Sequence, residues 1–94
     1  MSSRSGLPRR AERTAMRVID GEALVMVIDR RELHRLNDVG SRVLELCDGA
    51  TTVDAIVAKI VSEFEVDAVR ARGDVDAFIA EMTAAGAIAQ EGAQ

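Results

Sequence analysis

His34 and Cys47 are the only side chains in this 94-residue chain that could act as an imidazole base or a thiol nucleophile. A nucleophile needs a base held beside it, and a single imidazole has to serve every such pairing. Cys47 shares an apolar helical stripe with Val39, Val43 and Leu46, so a packing thiol outweighs a reactive one. His34 sits in a short extended run, where a surface strand residue outweighs an acid–base group. One histidine and one cysteine are too few soft ligands for zinc. The carboxylates of Asp74, Asp76 and Glu81 lack calcium-loop spacing, which leaves a solvated helix face. Seven glycines are scattered without phosphate-loop or dinucleotide spacing. These residues predict no catalytic group, no cofactor and no metal. The chain is expected to bind rather than to turn anything over.

Composition narrows what it binds. Hydrophobic residues make up 48% and charged residues 30%, the balance of a folded domain. Apolar runs such as Ala23–Ile28 are far shorter than the roughly 20 residues of a membrane span. With one cysteine the chain forms no internal disulfide, and a reduced, cytoplasmic setting is expected without a membrane partner. Two phenylalanines are the only aromatics, too few for stacking single-stranded nucleic acid. The net charge of −4 conceals a gradient. Residues 1–13 carry four arginines against one glutamate, residues 14–36 are balanced, and residues 37–94 set eleven acidic against four basic side chains. A DNA reader needs cations on the helix that enters the groove. Here that stretch is acidic, so no nucleic acid is expected.

The elements follow from periodicity. Met1–Arg13 predicts a flexible basic tail, residues 14–89 the domain, and residues 90–94 a frayed end. Arg17–Asp20 and Ala23–Asp29 flank Gly21-Glu22, a type II′ hairpin signal. A third extended piece contains Leu33 and Leu36, which cannot share a strand face unless a bulge or an early strand end intervenes. Asn37 or Asp38 offers the cap of a helix ending at Asp48-Gly49. Thr51 or Thr52 caps the next, with Thr51 and Asp54 at capping-box spacing. Its stripe is Val53, Ile56, Val57, Ile60, Val61 and Phe64. A third helix carries Val75, Phe78, Ile79 and Met82 and stops at Gly86; Asp67 or the Gly73-Asp74 step marks its start. The expected architecture is α+β: a three-stranded antiparallel sheet followed by three helices.

A small sheet has edges, and an edge strand exposes unpaired N–H and C=O groups. If Leu33–Leu36 lies at the edge beside the third helix, an extended peptide can enter the groove as an added strand. Alternatively, Arg30, Arg31, Glu32 and Arg35 blunt that edge. Periodicity leaves the two readings even.

The succession His34-x-Leu36-Asn37, Val43-Leu44-x-Leu46-Cys47-Asp48-Gly49 and Thr52-Val53-x-x-Ile56 resembles the PqqD family. So does the ending Asp74-Val75-x-x-Phe78-Ile79-x-x-Met82-x-x-x-Gly86-x-Ile88. This is the pyrroloquinoline quinone biosynthesis protein D group, whose fold is also called the RiPP precursor peptide recognition element. The resemblance runs from about residue 15 to residue 88. Departures are the absence of aromatic and proline residues in the first two strands, Gly40 where a small residue such as Ala is common, and the uncovered arginine-rich tail.

The resemblance implies a winged helix-turn-helix-like fold without chemistry of its own. Such a protein binds the leader segment of a ribosomally made precursor peptide and presents it to a modifying enzyme, often a radical SAM protein. The leader adds to the third strand, here Glu32, Leu33, His34, Arg35 and Leu36, and packs on the third helix. There Val75, Phe78 and Met82 are expected to face the core, with Arg72, Asp76, Ile79 and Thr83 as the groove wall; the other flank is Asp74, Phe78 and Glu81. The expected state is a monomer or a strand-exchanged homodimer. The rival readings are a winged-helix DNA-binding regulator and an adaptor or dimerisation module without a peptide ligand.

Overall fold

The computed structural model describes residues 7–20 and 22–91. The order is β1 (Leu7–Arg10), β2 (Thr14–Ile19), β3 (Glu22–Val27), a 3-10 turn (Ile28–Arg30), β4 (Glu32–Leu36), α1 (Asp38–Leu46), α2 (Val53–Phe64), α3 (Ala68–Ala84) and β5 (Ile88–Glu91). Strands β2, β3 and β4 form an antiparallel sheet in that order, and β1 pairs with β5 in a separate ribbon.

Alternation along β3 decides which face of the sheet is dry. Ala23, Val25 and Val27 are buried against the helices, while Met26 stays exposed on the opposite face. Opposite Glu22 in the register stands Ile19, so the hairpin connection is Asp20 and position 21, with Glu22 already in the strand. Asp20 adopts a left-handed φ of 54°, as tight hairpin connections require. Gly21, on which the type II′ expectation rests, lies outside the described residues.

Strand β4 is regular through Leu36, with Ala23 facing Leu36 and Val25 facing His34. No bulge reconciles its two leucines. They point to opposite faces: Leu36 is 8% exposed in the core and Leu33 is 58% exposed on the outer face.

The helix starts are side-chain caps. Asn37 Oδ1 accepts from the Gly40 N–H at 2.7 Å, Thr52 Oγ1 from Ala55 at 3.1 Å, and Asp67 Oδ1 from Arg70 at 2.8 Å. Thr51 forms no capping box; its hydroxyl donates to Asp48 Oδ2 at 3.1 Å. From its Asp67 cap, α3 runs unbroken through Gly73, where an added Cβ would meet open space. The core is built from Val25, Leu36, Val43, Leu44, Ile56, Ile60, Val75 and Met82, contributed by the sheet and all three helices. Arg42 ties α1 to α2 through a two-pronged pair with Glu63, at 2.8 and 3.0 Å, and holds that carboxyl below its usual range.

The terminal segments depart from expectation. Residues 7–10, expected in a solvated tail, form β1, and Pro8 is among the most buried side chains. The Gly49 N–H donates to the Pro8 carbonyl at 3.0 Å, Arg10 N–H to Cys47 at 3.0 Å and Ala11 N–H to Ala87 at 2.8 Å. Ile88 opens β5, which runs to Glu91 and so includes part of the expected frayed end. Two strands with little periodicity of their own stabilise each other here by pairing across the whole length of the chain.

Candidate functional site: the open edge of β4 and the cleft beside α3

The ladder's parity identifies which backbone groups of β4 are free. In an antiparallel pair, residues alternate between facing a neighbour's hydrogen-bonding groups and facing away from them. The Ile28 N–H donates to Arg13 at 3.0 Å, toward the β2 side. By alternation Glu22, Leu24 and Met26 also bond to β2, and Ala23, Val25 and Val27 bond to β4. Their partners there are Leu36, His34 and Glu32. The N–H and C=O groups of Leu33 and Arg35 therefore point away from the sheet, and no described strand pairs with that edge.

Beside this edge runs a cleft of about 200 Å³ lined by His34, Arg35, Leu36 and Asn37 on one wall and Phe78, Glu81 and Met82 on the other. It shares Asn37, Phe78 and Glu81 with a second lobe of about 500 Å³ that reaches Val39, Val66 and Ala77. The Phe78 ring forms the shared floor because α1 has no side chain in the way. A Cβ on Gly40 would come within 3.0 Å of Phe78 Cε1. His34 lies on the inner face of β4, half-buried, with Nε2 3.2 Å from Glu32 Oε1.

The structure brings Glu32–Leu36 together as one strand, but it does not bring Arg72, Asp76, Ile79 and Thr83 to the cleft. Arg72 hydrogen-bonds Asp54 of α2 and stands 3.8 Å from Asp76. Ile79 is buried in the core, and Thr83 is exposed away from both lobes. The reason is the packing of α2 against α3. It claims the flank that carries Arg72 and Asp76, and it leaves the flank of Asp74, Phe78 and Glu81 facing α1 and β4. Met82, expected in the core, is buried and also closes the cleft floor. Asn37, Val39 and Val66 were not legible as lining; the one local signal was Gly40, a glycine in the first turn of a helix.

Cys47 is buried, and burial, aided by Asp48, pushes its thiol up to about 11. It is a neutral packing group at neutral pH. Among the described residues no cluster of histidine, cysteine and carboxylate side chains could hold a metal ion, and no helix is long and apolar enough to cross a membrane.

A three-stranded antiparallel sheet with an open edge, followed by three helices, defines an α+β domain of the winged helix-turn-helix type. A family model described as coenzyme PQQ synthesis protein D (PqqD) matches residues 22–88, and the chain belongs to this family. No curated protein matches it by sequence. Among solved structures, TbiB1 in complex with the TbiA(beta) leader peptide is similar at 22% identity and a TM-score of 0.77, covering 92% of this chain and 98% of that one. A lasso peptide synthetase B1 complexed with the leader peptide is similar at 17% identity and a TM-score of 0.78, covering 88% of this chain and 98% of that one. The PqqD truncation of Methylobacterium extorquens PqqCD, a stand-alone RiPP recognition element, is similar at 20% identity and a TM-score of 0.75, covering 94% and 96%. At these identities the likeness establishes the fold.

Proposed function

We propose that this domain binds the leader segment of a ribosomally synthesised precursor peptide by strand addition to β4 and presents it to a modifying enzyme, without catalysing a reaction itself. The observation that carries the reading is the outward-facing backbone of Leu33 and Arg35 directly beside the Phe78–Glu81–Met82 cleft. An added strand takes main-chain hydrogen bonds from the edge and sends alternate side chains into the cleft. Membership of the PqqD family supports it, as does the likeness to two proteins solved with leader peptides.

Holding the leader raises the effective concentration of the attached core peptide at the enzyme. A leader that is disordered when free loses entropy on binding, so affinity rests on main-chain pairing plus a few anchors. The modifying partner is proposed to be a radical SAM protein and the setting cytoplasmic. The test is an NMR titration of labelled protein with synthetic leader peptides of ribosomally made precursors. Shifts are expected at residues 32–36 and at Phe78, Glu81 and Met82. A saturating leader that leaves those residues unmoved contradicts strand addition. Binding of random duplex DNA at low salt would favour a regulator instead.

A further inference from the structure

We infer that the cleft selects a cationic side chain, Lys or Arg, in the bound peptide, and that Glu81 is the residue that selects it. The inference rests on the peptide-binding reading and specifies its substrate class. Among the described residues, three charged side chains line the two lobes besides Glu81, and each has a partner of opposite sign. Arg35 stands 3.7 Å from Glu22, and Arg70 and Asp74 stand 3.7 Å from each other. Glu81 has no hydrogen bond or ion pair to its carboxylate among the described residues, although it lines both lobes. The nearby His34 already faces Glu32. The cleft's unanswered charge is therefore negative and sits at the junction of its lobes.

Phe78 strengthens the case and narrows the ligand. It precedes Glu81 by one helical turn on α3 and lines the same two lobes. A long cationic side chain suits this pair: its aliphatic stem lies along the aromatic ring while its charged head meets the carboxylate. Short anions gain nothing there, and an acidic side chain is repelled. The selected residue belongs to the part of the added strand beside Leu36 and Asn37, where the two lobes join.

A random peptide library displayed on phage, panned against the full chain, tests this whichever precursor is the natural ligand. Peptides that bind wild type and lose affinity for Leu33→Pro define the strand-addition set. Within that set we expect one register position enriched in Lys or Arg. Replacing that residue by Gln in a synthetic peptide, or Glu81 by Gln in the protein, should weaken binding by about three- to tenfold, and the two changes together should cost little more than either alone. Panning against Glu81→Lys should enrich Asp or Glu at that position. Peptides that depend on Leu33 yet show the same preference on wild type and Glu81→Lys overturn the inference and leave strand addition standing. Enriched peptides indifferent to Leu33→Pro, or no enrichment at all, overturn both.

Discussion

The N–H of Leu33 is available to a partner because its own sheet does not use it. Leu33→Pro removes that donor, and proline is tolerated on an edge strand whose N–H faces solvent. The variant is expected to keep its melting temperature within a few degrees. It should lose peptide affinity about fivefold or more, the weight of one net hydrogen bond, as fluorescence anisotropy would report. Cys47 supports a second prediction. Its thiol is raised to about 11 in the folded chain, above the ordinary value of a solvated thiol. A group whose folded pKa is raised stabilises fully below its unfolded pKa and loses that contribution as pH climbs to the folded value. Urea denaturation should therefore show wild type losing stability relative to Cys47→Ala between about pH 9 and 11. A constant difference across that window would refute a thiol shielded by burial.

Among the elements, the helices were readable from their apolar stripes, and the inner strand β3 from a short continuous apolar run, Ala23–Ile28, beside a turn signal. Of the starts that the sequence left open, Asn37 rather than Asp38 and Asp67 rather than the Gly73-Asp74 step supply the caps, and the Ile56-Val57-Ile60 stripe is buried as spaced. Two things were not readable. The side of α3 that faces the cleft depends on where α2 packs, and both flanks of that helix carry a comparable mix of charge and apolar residues. The strands β1 and β5 have no strong pattern because their stability comes from each other and from the Asp48-Gly49 turn. Gly40 is the informative exception. Gly40→Ala places a methyl group where the Phe78 ring now lies, 3.0 Å from Cε1. The gain in helix propensity, up to ~1 kcal/mol, offsets crowding and keeps the fold. The ring's resonances should shift and peptide affinity should fall; unmoved Phe78 signals would show that the ring is not seated on α1.

For the molecule as a whole, β1 joins the two ends of the chain, contacting β5, the end of α1 and the Asp48-Gly49 turn. It lies before the stretch matched by the family model, yet its Arg10 N–H bonds the carbonyl of the buried Cys47 and its own Pro8 is buried. Deleting residues 1–11 should lower the urea midpoint clearly and make the Cys47 thiol reactive toward a disulfide reagent in the native state. An unchanged midpoint would mean that β1 contributes no net stability. No residue of β1 lines either lobe of the cleft, so peptide-contact residues in the truncated protein should still respond to peptide wherever it remains folded. Amide hydrogen exchange of β4, with and without the synthetic leader, is the most direct measurement. Leu33 and Arg35 should exchange quickly in the free protein and become protected in the complex, with His34 protected in both. Fast exchange at Leu33 and Arg35 under saturating peptide would mean that no strand has joined β4.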